Sequence, residues 1–139
     1  MTPPDPAPSR ASEATPEAAV QAYWAALEAR DWDGVAALLD PGFRAHFPQS
    51  GETFDAAGWV RMNRAYPGDW HLCVVDVLVA ATPASAEARV VTEVEVDLDG
   101  RTDRALSFFR LRGGRLTDLR EHWPEPFPIP AWRLAPPQP

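Results

Sequence analysis

Apolar residues recur along the chain with two periods, and the period changes near its middle. Val20, Tyr23, Trp24 and Leu27 fall at i, i+3, i+4 and i+7, which sets one stripe on a helix ending near Arg30. Thr15 suits the N-cap, Pro16 the first helical position, and Glu17 the positive helix end. A shorter second helix starts at Asp31 and turns Trp32, Val35, Leu38 and Leu39 inward until Asp40-Pro41-Gly42 stops it. Phe43 to Phe47 alternates as a brief strand that carries His46. Thr53 then caps a third helix, from Phe54 to Tyr66, with Phe54, Trp59, Met62 and Tyr66 as apolar members. Pro67-Gly68 ends it.

From residue 70 the period is two. Residues 70–80, 88–98, 101–111 and 115–123 are β-branched or aromatic runs. Asp99-Gly100 and Gly113-Gly114 join the last three and are strong hairpin signals, because such turns need positive φ at their central residues. Helices first and strands last predict an α+β fold, with three N-terminal helices on one face of an antiparallel sheet.

Two-residue turns also predict register, and register predicts facing. Asp99-Gly100 pairs Leu98 with Arg101, and so on to Val90 with Phe109. Gly113-Gly114 pairs Leu111 with Leu116, Phe109 with Asp118, Ser107 with Arg120, and Ala105 with His122. One face then carries Val90, Thr92, Val94, Val96, Ala105, Ser107, Phe109, Leu111 and Leu116, joined by Asp118, Arg120 and His122. An apolar face with a few converging polar groups has the composition of a ligand pocket. The other face mixes Glu93, Glu95, Arg104, Arg110 and Glu121 with Leu106, Phe108, Leu119 and Trp123, and also takes Asp76. That much apolar surface predicts association of two copies through the open side of the sheet.

Composition narrows the functional classes. The 139 residues fit one domain, and the formal charge of −7 argues against nucleic-acid binding. There is no Lys and no Gly-rich phosphate motif, so a P-loop is excluded. Three histidines and one cysteine make a metal site or an intramolecular disulfide unexpected; Cys73 reads as an inert small hydrophobe. No apolar run reaches membrane-spanning length and no signal peptide is recognisable, so no membrane partner and a cytoplasmic location are expected. The 16 prolines crowd the two ends. Residues 1–14 read as a flexible lead and 134–139 as a loose tail. Between Trp123 and Arg133, bulky apolar residues alternate with proline, which predicts that 124–133 packs along the body or across a partner.

The stretch EAAVQAYWAALEARDWDGVAALLDPGF, the order of elements, and the ending FFRLRGGRLTDLREHWPEPFPIPAWR together resemble the nuclear transport factor 2-like superfamily, and within it the SnoaL-like proteins. The resemblance covers Thr15 to Arg133 and implies a SnoaL-like domain over 15–133. The implied fold is a conical barrel, a cystatin-like α+β roll in which a bent sheet wraps the helices around a pocket. Homodimers through the open sheet face are common in that superfamily. Its members include cofactor-independent isomerases, hydrolases and cyclases as well as non-catalytic binding and assembly modules, so the fold leaves the activity open. In several enzymatic members a carboxylate near the end of the last strand faces the pocket. By the register above, the inward positions here are His122 and Pro124, neither of them a carboxylate.

Candidate site residues follow. His122 is either a general acid or base, or a rim histidine bonded to backbone. Arg120 either holds a substrate oxygen or pairs with Asp118. His46 either faces His122 across the pocket or sits exposed at an edge. Tyr23 and Trp59 are placed at the cavity because their polar tips need partners. Met62, Thr92, Ser107, Phe109 and Asp118 complete the expected lining. The expected ligand is a small apolar molecule, and no cofactor is expected.

Overall fold

Both glycine turns form as their sequences require. Asp99 and Gly100 have φ of 51° and 77°, and Gly113 and Gly114 have 58° and 76°. The structure, a computed structural model, describes residues 15–81, 83 and 87–134. The expected lead, and the expected tail apart from Leu134, lie outside the described residues.

Helices α1 (Pro16–Glu28) and α2 (Trp32–Leu38) precede strand β1 (Leu39–Phe47). Strand β2 (Glu52–Asp55) and helix α3 (Ala56–Ala65) follow. Strands β3 (His71–Val79), β4 (Ala88–Leu98), β5 (Arg101–Arg112) and β6 (Arg115–His122) complete the sheet, and α4 (Ala131–Leu134) is a single turn. The Thr15 hydroxyl caps α1 by accepting from Ala18 N at 3.1 Å. Asp31 caps α2 in the same way through Gly34 N at 3.0 Å.

The α+β architecture is as expected, with three differences of detail. The six strands run β2-β1-β6-β5-β4-β3, so β2 and β3 are open edges and the sheet does not close on itself. Neighbours are antiparallel except β1 and β6, which pair in parallel. The third helix begins two residues later than Phe54. Thr53, Phe54 and Asp55 pair with β1, and Asp55 takes over the cap by accepting from Gly58 N at 2.7 Å.

One face of the sheet packs on the helices. Val90, Thr92, Val94, Ala105, Ser107 and Phe109 are buried against Val20, Tyr23, Trp24 and Leu27 of α1 and Trp59 of α3. Tyr23, Trp24 and Phe109 meet edge to face, with centroids 5.0, 5.5 and 5.9 Å apart. Burying each such side chain contributes about 1.5–3 kcal/mol before ordering entropy is counted.

The β4–β5 register is the expected one throughout. The β5–β6 register starts as expected, with Leu111 opposite Leu116, and then shifts by one residue at Thr117. Beyond that bulge Asp118 lies opposite Arg110, Leu119 opposite Phe109, Arg120 opposite Phe108, Glu121 opposite Ser107, and His122 opposite Leu106. A one-residue slip reverses facing for the rest of a strand. Leu119 and Glu121, expected on the outer face, therefore point to the helices and are buried, and Trp123, expected there too, stands on the inner side beside Glu121. Asp118, Arg120 and His122 point to the outer face, contrary to expectation.

Two further expectations are corrected. Phe127, Ile129 and Trp132 are 61–75% exposed, so these side chains do not pack along their own body, which leaves the other expected placement, across a partner, as a proposal. Cys73 is exposed because it lies opposite Glu95 on the outer face.

Candidate active site

Between α1, the end of α3 and the inner sheet face lies a narrow cleft that opens to solvent. Tyr23, Trp24 and Leu27 enter from α1, and Asn63 and Tyr66 from the end of α3. Trp70, just before β3, and Leu72, Val96, Leu98 and Asp103 of β3–β5 supply the sheet side. Glu121 and Trp123 come from the end of β6. The lining is largely aromatic and aliphatic, with a few convergent polar groups.

Glu121 is the charged centre of this wall. Ser107 Oγ donates to its Oε2 at 2.9 Å, and Trp123 Nε1 donates to its Oε1 at 2.9 Å. Burial disfavours the charged form strongly enough to raise its pKa to about 7, although both hydrogen bonds pull the other way. A carboxyl that titrates near neutrality can take or give a proton at working pH.

Tyr23 supplies the second polar group. Trp59 Nε1 donates to Tyr23 Oη at 2.8 Å, which leaves the phenol's own proton for another acceptor. Burial first, and then the negative charge of Glu121, push the Tyr23 pKa well up, so it remains a neutral donor. Trp24 Nε1 donates to Thr92 Oγ1 at 3.2 Å, which fixes the indole that floors the cavity beside Tyr23.

At the mouth, Asp103 Oδ2 accepts from Arg101 Nε at 3.0 Å and Nη2 at 2.9 Å. Arg30 is turned away from the cavity. Its guanidinium lies 3.3 Å from the Trp70 ring centroid and donates to the Trp70 carbonyl. The neighbouring Glu28 carboxylate ties α1 to β3, accepting from Leu72 N at 2.7 Å and pairing with His71 Nδ1 at 2.8 Å.

The residues expected at the site divide into three groups. Tyr23 lines the cavity; Ser107 and Trp59 touch it through Glu121 and Tyr23. Thr92 and Phe109 are core residues behind it, and Met62 packs against the core from α3. His122, Arg120, His46 and Asp118 lie outside it. His46 Nε2 is 3.3 Å from Asp118 Oδ1, Arg120 stacks 4.7 Å from the Phe108 centroid, and His122 meets the same ring edge-on at 5.7 Å. His46 therefore does not face His122 across the cavity.

Glu121 is what the sequence reading missed. Its signal was the three-residue spacing of Leu116 and Leu119: strict alternation can bury only one of them, whereas a bulge buries both and carries Glu121 inward with them. Among the described residues, no group of three or more His, Cys, Asp or Glu side chains could hold a metal ion. None of the described helices is long and apolar enough to cross a membrane.

Comparison with known proteins agrees with this architecture. The SnoaL-like domain family matches residues 20–119. A protein from Kribbella flavida DSM 17836 assigned as a ketosteroid isomerase superposes with a TM-score of 0.74 at 27% identity, covering 88% of each chain. An NTF2-like protein of unknown function from Burkholderia xenovorans LB400 gives a TM-score of 0.62 at 24% identity over 84% of this chain and 88% of that one. A cystatin-like fold protein of unknown function from Methylobium petroleophilum PM1 gives 0.69 at 16% identity over 89% and 83%. No curated protein matches the sequence. With its family match spanning most of the body and the inner face arranged as described, the chain belongs to the SnoaL-like family of the nuclear transport factor 2-like superfamily.

Proposed function

We propose that the protein binds a small apolar carbonyl compound in this cavity and moves a proton on it, as a cofactor-independent isomerase. The observation that carries the reading is Glu121, a buried carboxyl with a pKa near 7 on the wall of an aromatic cavity. Its carboxylate takes the proton from the carbon next to the carbonyl, and the electron pair moves to the carbonyl oxygen. Tyr23 donates its free hydroxyl proton in a hydrogen bond to that oxygen. Glu121 then returns the proton to carbon. The 27% identical Kribbella flavida protein, assigned as a ketosteroid isomerase, supports this class of reaction.

Solvent-deuterium exchange into the acetyl group of 2-acetylnaphthalene, followed by NMR, tests the reading. The wild-type protein is expected to speed exchange, and Glu121→Gln to remove about 10²–10⁴-fold of that acceleration. Exchange that survives Glu121→Gln unchanged overturns it. Binding without accelerated exchange leaves the second reading, a non-catalytic binder of the same ligand class.

We also propose that the outer sheet face receives a second copy of the chain. Val75, Leu78 and Leu106 are 37–60% exposed there. The charged groups around them pair within the face: Arg104 bonds Glu93 and Glu95, and His46 meets Asp118, so the apolar side chains are what an adjoining copy would cover.

A further inference from the structure

Charge is distributed unevenly around the cavity. Glu121 and Asp103 are its acidic lining groups, and among the described residues no Arg or His side chain lines it. The adjoining outer part of the mouth adds Arg101 and Glu125. Arg101 follows the Asp99-Gly100 turn and shares a strand face with Asp103, two residues on, as the alternation of a strand requires. Arg101 Nε and Nη2 both reach one oxygen, Asp103 Oδ2, so the guanidinium is held at the rim and its charge is matched there. Arg30 is the next cation, and it is committed to the Trp70 ring and to the carbonyls of Leu27, Glu28 and Trp70. A ligand entering the mouth meets two carboxylates and one already paired cation, and deeper in it meets Glu121.

We infer that Asp103 and Arg101 together form a charge filter at this mouth: the cavity takes uncharged apolar carbonyl compounds and refuses their carboxylate analogues. The inference rests on the proposed use of the cavity as a carbonyl-binding site and adds its selectivity. An anion entering would lose its hydration without gaining a free cation, and would face like charge at both depths. A neutral carbonyl needs only a hydrogen-bond donor, and Tyr23 offers one. Asp103 is the specificity-determining residue because it alone keeps Arg101 from serving an incoming anion.

A matched pair of probes tests this: 2-acetylnaphthalene and 2-naphthoate, titrated by calorimetry at pH 8 into the full-length protein. The wild type is expected to bind the ketone about tenfold or more tightly than the carboxylate, the size of one repulsive contact at a partly solvated rim. Asp103→Asn, nearly isosteric, frees Arg101 and is expected to shift the ratio of the two affinities about fivefold toward 2-naphthoate. Arg101→Gln is expected to widen the wild-type preference. Equal binding of both probes by the wild type, or an unchanged ratio in Asp103→Asn, overturns the filter. If equal binding comes with Glu121-dependent exchange intact, the filter alone falls. If neither probe binds, the filter and the carbonyl-binding reading fall together.

Discussion

Ser107 and Glu121 stand directly opposite each other on β5 and β6, and the serine hydroxyl donates to Glu121 Oε2 at 2.9 Å. That bond favours the ionised carboxylate and opposes the upward push of burial. Ser107→Ala should therefore raise the Glu121 pKa above about 7. The pH–rate profile of deuterium exchange reads this directly. In the wild type the rate should rise with pH and level off above about 7, because the ionised form is the base. In Ser107→Ala the same profile should move to higher pH with its plateau kept. A midpoint that stays put would mean the hydroxyl does not tune the base.

The same carboxyl makes folding stability depend on pH with a definite sign. Its pKa rises from 4.5 to about 7 on folding, so between those values the folded chain binds more protons than the unfolded one. The stabilisation from this group is complete below pH 4.5 and is lost as pH rises through about 7. It amounts to about 3 kcal/mol. Denaturant titrations of the wild type and Glu121→Gln should diverge over that window, with the variant gaining on the wild type as pH rises. Parallel curves would contradict a strongly desolvated Glu121.

The reach of sequence reading is clearest along β5 and β6. Every β4–β5 pair from Leu98–Arg101 to Val90–Phe109 followed from one two-residue turn, because that turn leaves the register no freedom. The same reasoning held for Leu111–Leu116 and failed past Thr117. A bulge has no composition of its own; it is favoured here because it buries Leu119 and keeps Arg120 in solvent. That single residue separated the correct cavity wall from the wrong one and hid Glu121. At α3, Thr53 and Asp55 are both good caps, and pairing with the His46–Phe47 end of β1 decided between them, a tertiary contact invisible locally. A buried phenol and a buried indole each need a polar partner, and Tyr23 and Trp59 serve each other, Tyr23 on the cavity wall and Trp59 behind it.

That mutual service predicts a cost for breaking it. Tyr23→Phe leaves the buried Trp59 N–H without its acceptor and should destabilise the fold by about 1–3 kcal/mol. It should also slow exchange by about 10²-fold or more through loss of the oxyanion donor. The double variant Tyr23→Phe/Trp59→Phe removes both polar partners and should recover part of the stability but none of the rate. Denaturant midpoints and exchange rates on the same samples separate the two effects. Full recovery of the rate would remove Tyr23 from the mechanism.

Outer-face substitutions should leave chemistry alone and change association. Arg120→Ala and His122→Ala sit on the far side of the sheet from Glu121, so each should keep the exchange rate within about twofold, a change worth only a few tenths of a kcal/mol. Leu78→Glu/Leu106→Glu places two charges among the exposed apolar side chains of that face and should convert a dimer into monomer. Sedimentation velocity gives the mass of each form, and the exchange assay on the monomeric variant shows whether the cavity works without its partner. A wild type that is monomeric at high concentration would remove the proposed association while leaving the Glu121 site intact. Loss of exchange in Arg120→Ala with folding preserved would instead bring the outer face into the chemistry, contrary to the facing set by the Thr117 bulge.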